Sequence, residues 1–189
     1  MRKVILNMMV SLDGFMEGPD KELDWHVVDD EFNEYGVSVL NAVDTILFGR
    51  VTYQFFENYW LAAAKDPGTS KIDLEIAEKI NNINKIVFST TLKDVEWENS
   101  KLLKNVIPDE INKLKQESGK DMVIFGGAGI AQSFINLNLI DEYRIIVNPV
   151  VLGKGKALFE NINKKFKLKL MKTKVFNSGV VILYYQPDK

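Results

Sequence analysis

The 189-residue chain has no cysteine and a single histidine, His26. Without cysteine there is no disulfide framework, thiolate nucleophile, iron–sulfur cluster or thiolate zinc site. A lone histidine cannot supply a multi-histidine metal centre, so no metal site is expected. An excess of charge of one sign is also missing: 24 Lys and Arg stand against 26 Asp and Glu, a net charge of -2. No basic footprint for nucleic acid or anionic lipid follows from that balance. Long hydrophobic runs are absent too. The apolar stretch from Val4 to Val10 is broken by Asn7 and ends at Ser11-Leu12-Asp13-Gly14, too short for a signal peptide or a membrane span. These absences lead to the expectation of a cytoplasmic protein whose partner is a small molecule, with no role in binding nucleic acid or membrane.

What is present is core-forming side chain, 46% hydrophobic and 11% aromatic, enough for one domain over residues 1–189. Four short apolar runs, Val4 to Val10, Thr45 to Phe48, Ile86 to Phe88 and Met122 to Phe125, are nearly continuous, as strands buried on both faces should be. Between them, Phe32, Tyr35, Val39, Leu40 and Val43 recur at helical spacing, as do Ile72, Ile76, Ile80 and Ile83. Ser70 with Asp73 approximates a capping box, and Pro108-Asp109-Glu110 opens a further helix. Ala64 to Lys71 reads as a surface loop. Strand and helix in strict alternation predict an α/β fold of three layers, a mainly parallel mixed sheet with helices on both faces. Glu142 to Val151 reads as a later strand. Phe166 to Phe176 and Val180 to Tyr185, joined at Asn177-Ser178-Gly179, predict a C-terminal antiparallel hairpin.

In such sheets ligands collect beyond the carboxyl ends of the parallel strands. The segments there are Ser11-Leu12-Asp13-Gly14, Gly49-Arg50-Val51-Thr52, Ser89-Thr90-Thr91 and Gly126-Gly127-Ala128-Gly129. The last can bend sharply and hands over to a helix from Ile130, whose free N–H groups favour an anion by roughly 0.3 to 2 kcal/mol. It matches neither the usual dinucleotide fingerprint nor a Walker P-loop, so tight packing and phosphate binding are both open for it alone. Arg50 is placed to fork onto a phosphate, with Thr52 adding a hydroxyl. An arginine in that role points to a 2′-phosphate, hence to NADP. For Arg50 by itself, a surface ion pair is the competing reading.

Taken in order, Ser11-Leu12-Asp13-Gly14, Leu47-Phe48-Gly49-Arg50-Val51-Thr52-Tyr53, Val87-Phe88-Ser89-Thr90 and Ile124-Phe125-Gly126-Gly127 resemble the dihydrofolate reductase superfamily. In particular, the chain resembles the stand-alone relatives of the riboflavin-biosynthesis reductase domain, and the likeness runs from Lys3 to about Tyr185. The resemblance implies NADPH as cofactor and a homodimer. It would place Gly49, Arg50 and Thr52 at the 2′-phosphate and pyrophosphate, and Ser89 and Thr90 at the adenosine end. Gly126, Gly127, Ala128, Gly129 and Ile130 would line the pyrophosphate, Asp13 and Gly14 would lie near the nicotinamide, and the segment Asn148-Pro149-Val150-Val151-Leu152-Gly153 would flank the cofactor, with Leu152 and Gly153 against it. The implied activity is hydride transfer to a heterocyclic or ribosylamino-pyrimidine substrate, as in a 5-amino-6-(5-phosphoribosylamino)uracil reductase. Riboflavin-pathway members carry glutamate where this chain has Phe125. Dihydrofolate reductase activity and a non-catalytic NADP-binding dimer are the alternatives.

Reduction of C=N or C=O also needs a proton on the heteroatom. Dihydrofolate reductases have an acidic residue five positions after a tryptophan, and Trp25 is followed at that spacing by Asp30. Asp30 is therefore the first catalytic candidate and Glu34, one turn on, the second. For Asp30 a helix N-cap is the competing reading, and for Asp13 a simple Asp-Gly turn. His26 reads as a solvated loop residue. Trp25, Tyr53 and Trp60 read as packing at the edge of the crevice.

Overall fold

A computed structural model describes residues 1–188. The chain opens with β1 (Val4–Ser11) and the short β2 (Phe15–Glu17), then α1 (Asp30–Ala42), β3 (Val43–Gly49), α2 (Arg50–Ala63), α3 (Lys71–Asn82), β4 (Asn84–Phe88) and β5 (Ser100–Leu103). It continues through α4 (Pro108–Gln116), β6 (Asp121–Ile124), α5 (Ala128–Asn136), β7 (Glu142–Asn148), β8 (Lys156–Ala157), β9 (Leu168–Val175) and β10 (Val181–Pro187). Eight strands make one sheet in the order β5-β4-β3-β6-β1-β7-β10-β9. The strands from β5 to β7 run parallel, and β10 and β9 close the sheet as an antiparallel pair. The expected three-layer, mixed α/β sheet with a terminal hairpin is what forms.

Because side chains alternate across a strand, the continuous runs feed two cores. Val4, Leu6, Met8 and Val10 face α4 and α5, meeting Ile111, Ile130, Ala131 and Phe134. Ile5, Ile46, Phe48 and Val123 face the other way, towards Tyr35 and Val39 of α1, Tyr53 of α2, and Ile76 and Ile80 of α3. Ser70 caps α3, accepting from the Asp73 amide at 3.2 Å while its hydroxyl donates to the Asp73 carboxylate at 2.6 Å. The hairpin turn closes with Gly179 N–H donating to the Phe176 carbonyl at 3.0 Å.

Strict alternation does not hold. Two helices, α2 and α3, lie between β3 and β4, whereas β4 and β5 are adjacent parallel strands joined by residues 89–99 with no helix. β5 reads Ser-Lys-Leu-Leu with no buried residue, so neither periodicity nor a hydrophobic run marks it. β2 and β8 form a separate two-stranded antiparallel sheet too short to carry a pattern. Val43, read as the last apolar position of a helix, is instead the first residue of β3. The helix-to-strand junction turns its side chain into the same core as Tyr35 and Val39, which is why the spacing continued across it.

Phe134 ties this architecture to the crevice, since it lies on α5, is fully buried, and meets Phe88 edge-on at 5.7 Å. Phe134→Ala is expected to lower stability by about 3–5 kcal/mol, read as a drop in the urea midpoint at constant slope.

Candidate active site

The parallel pairing of β3 with β6 brings their two strand-to-helix turns side by side. Gly49 is the N-cap of α2 and Gly127 the N-cap of α5, and neither helix has a side-chain cap. The first-turn N–H groups of both helices therefore point beyond the sheet edge without a side-chain acceptor, the usual preparation for an anion. The turns touch. A Cβ on Gly127 would sit 2.9 Å from Thr52 Oγ1 and 3.2 Å from Ile130 Cγ2, and the residue has φ +87°. Glycine is thus required there by both backbone conformation and space. A Cβ on Gly49 would lie 3.4 Å from Ile130 Cβ. Gly126 N–H donates to Met8 Sδ at 3.0 Å, fastening the turn to β1.

Within the turn the residues divide by role. Ala128 and Ile130 are buried and contribute side chains to the core, leaving only their backbone towards the crevice, whereas Gly129 is exposed. Arg50 is exposed, and its Nη1 donates only to Gln54 Oε1, at 3.2 Å. No carboxylate among the described residues lies within ion-pair distance of it. The surface ion pair that competed for this residue does not form. Ser89 is buried at the end of β4, where its Oγ accepts from Thr91 N–H at 3.2 Å and Leu92 N–H at 3.0 Å, while Thr90 is exposed beside it.

Asp13 links two loops. Its Oδ1 accepts from Ser11 Oγ at 2.7 Å and Leu152 N–H at 3.1 Å, and Oδ2 accepts from Gly153 N–H at 2.7 Å. The Ser11 hydroxyl, then the two amides, hold its carboxyl below the usual value even though it is open to water. The simple turn reading of Asp13-Gly14 is therefore too small: Gly14 has φ +88°, but the carboxylate also fixes the loop after β7 against the loop after β1. Ser11 and Asn148, expected only as members of segments along the cofactor, have structural roles of their own. Asn148 is fully buried at the end of β7, and its Oδ1 accepts from Val27 N–H at 2.9 Å. A polar residue inside an otherwise apolar run, Ile145-Ile146-Val147-Asn148, is the signal that marked it.

That bond lays the segment before α1 across the ends of β1 and β7. Asp29, not Asp30, caps α1, accepting from Phe32 N–H at 2.8 Å. Asp30 and Glu34 are exposed one turn apart on α1, and neither carboxylate has a hydrogen-bond or ion-pair partner among the described residues. Glu31 anchors the same turn by accepting from Asn177 N–H at 3.0 Å. Tyr53 lies inside the core rather than at the edge of the crevice. His26 is not a solvated loop residue: it packs edge-on to Trp25 at 4.2 Å, and its Nε2 is buried without a partner among the described residues.

The eight-stranded sheet, with the two glycine turns side by side at its carboxyl edge, has the dihydrofolate reductase class of fold. Dihydrofolate reductase from Enterococcus faecalis, solved with NADP(H), has a TM-score of 0.64 at 16% identity, covering 99% of this chain and 97% of that one. The chain belongs to the family of the RibD C-terminal domain, whose model matches residues 2–182. YyaP of Bacillus subtilis (strain 168) is 39% identical over 186 residues, 97% of this chain and 94% of YyaP. A protein of Shewanella sp. PV-4 named for riboflavin biosynthesis has a TM-score of 0.73 at 22% identity, over 99% of both chains. The family is of the reductase type.

Burial pushes the pKa of His26 from 6.5 down to about 4. The unfolded chain therefore binds more protons between those values, and stability present above pH 6.5 is lost as pH falls towards 4. The expected loss is on the order of 1–2 kcal/mol for a half-exposed ring. Urea unfolding at pH 7 and pH 4.5 should show a smaller difference in His26→Gln than in the parent protein.

Proposed function

We propose that this protein is an NADPH-dependent reductase that transfers hydride to a heterocyclic or ribosylamino-pyrimidine type substrate. The observation that carries the reading is Arg50, a guanidinium free of carboxylates at the mouth of two abutting, uncapped helix N-termini. That set suits a dinucleotide bearing an extra phosphate. A monoanionic ligand would leave much of its donor capacity unused. The abutting glycine turns give the close backbone approach that a pyrophosphate needs, and the Arg50 fork takes the 2′-phosphate. Thr90 lies open at the neighbouring strand end for the adenosine side, with Ser89 holding its turn. Asp13, Gly14, Leu152 and Gly153, tied together, form the wall for the nicotinamide end.

Bound NADPH supplies the hydride. The chain's own task is then to position the acceptor and deliver a proton. Asp30 stands at the rim where β1 and β7 end, because Val27 is held on Asn148 and the helix starts three residues later. Its exposure lets it exchange protons with solvent between turnovers. Glu34 occupies the next turn of the same exposed stripe and is the second candidate.

Arg50→Ala should weaken NADPH binding about 10- to 100-fold, the worth of one or two charge-assisted hydrogen bonds, and leave NADH binding nearly unchanged. Titration by tryptophan fluorescence checks this. Equal losses for the two cofactors would remove the 2′-phosphate role. Asp30→Asn should lower turnover by about 10²-fold or more with NADPH affinity preserved. Tight NADPH binding with no oxidation across pteridine and ribosylaminopyrimidine substrates would make the protein a binding protein and not a reductase.

A further inference from the structure

α2 carries Arg50 and Thr52 in its first turn, yet little fixes that turn from within the helix. Gly49 leaves the start without a side-chain cap, and among the described residues Tyr53 is the only one of α2 that is buried, at 2% exposed. The direction in which the first turn points therefore depends on what Tyr53 meets. Its ring packs edge-on against Phe48 at 6.1 Å and lies 5.8 Å from the Trp97 ring. Its hydroxyl accepts from Trp97 N–H at 3.1 Å and donates to Glu57 Oε1 at 3.4 Å.

Trp97 is a fixed point for that bond. The connection of residues 89–99 between β4 and β5 has no helix, so side-chain bonds give it its shape. Trp97 is buried, its Nε1 donates to Asn81 Oδ1 at 3.0 Å, and Lys85 Nζ stands 4.4 Å from its ring centre. Lys85 is itself 1% exposed and donates to the carbonyls of Asn81 at 2.9 Å, Ile83 at 2.8 Å and Glu98 at 3.1 Å. One ammonium thus ties the end of α3, the start of β4 and the residue after Trp97 together. A buried ammonium satisfied by three carbonyls resists displacement, because a shift would leave its charge unpaired. The Tyr53 hydroxyl reaches this post from the first turn of α2. Ring packing alone is non-directional and lets a helix roll, whereas a hydrogen bond to a backbone amide sets both distance and direction.

We infer that Tyr53 is a positioning residue for the phosphate site: its hydroxyl, held on the Trp97 amide, sets where the first turn of α2 presents Arg50 and Thr52. Thr52 borders the Gly127 turn, so a roll of α2 would move Arg50 and change the gap between the two helix starts together. The inference rests on the reading of that site as the place of the cofactor phosphates.

Calorimetric titration of the full chain with NADP+ and with adenosine 2′,5′-bisphosphate, which carries the 2′-phosphate and lacks the nicotinamide, tests this role. Tyr53→Phe keeps the ring and removes the hydroxyl, and it should weaken both ligands by the same factor, about five- to tenfold. Val39→Ala, a core substitution on α1 that leaves the Tyr53 bond in place, should lower the thermal midpoint and leave both affinities as in the parent. That pair separates positioning from a general loss of stability, and thermal melts confirm that both variants fold. Affinities that Tyr53→Phe leaves unchanged, or an equal loss in Val39→Ala, overturn the positioning role and leave the cofactor reading standing. A loss for NADP+ without one for the bisphosphate overturns it as well, since the phosphate site is then not what moved. A parent protein that binds neither ligand removes the cofactor reading and this inference with it.

Discussion

The contact between two neighbouring strand-to-helix turns governs the candidate site. β3 and β6 pair in parallel, so α2 and α5 start next to one another, and the space between their starts is set by Thr52 on one side and Gly127 on the other. A side chain at Gly127 would push against the Thr52 hydroxyl and the Ile130 methyl, and its backbone lies where L-residues are strained. With no side chain in that gap, two sets of helix N–H groups converge on one volume with Arg50 at its edge. The anion affinity proposed there would arise from packing as much as from any polar residue. Met8, through its sulfur, and Phe134, through the core, hold the second turn in place.

A second constraint organises the opposite end of the crevice. Asp13 accepts two hydrogen bonds, from Leu152 N–H and Gly153 N–H, that join the loop after β1 to the loop after β7, while Asn148 pins Val27 and so directs the chain into α1. Both polar groups act on backbone amides, which fixes loops more firmly than contact between flexible side chains. The crevice is consequently framed by the glycine turn, the Asp13 clasp and the first turn of α1. Those three parts correspond to phosphate binding, nicotinamide placement and proton delivery in the proposed reductase.

The sequence revealed those elements whose physical cause is local. Continuous apolar runs in β1, β3, β4 and β6 are continuous because both faces are covered, and the spacing of Ile72, Ile76 and Ile80 follows from one buried face of α3. The turn at Gly179 was legible because it needs a positive φ. β5, β2 and β8 were not legible. Their pairing is set by tertiary contacts, and runs of four residues or fewer carry no period. At the site, Arg50 and the glycines were visible as residue types at strand ends. The absence of a carboxylate near Arg50, the Asp13 bonds to Leu152 and Gly153, and the partly buried setting of His26 depend on residues brought together only by folding.

Hydrogen–deuterium exchange on the full chain, with and without saturating NADP+, tests the central claim most directly, since it reads the backbone amides that are said to bind the phosphates. Protection on adding NADP+ is predicted in the peptides spanning residues 49–53 and 126–131, at the two helix starts, with far less at the hairpin of β9 and β10. Protection confined to other strand ends, or none at these two turns while the cofactor is bound, would contradict the account.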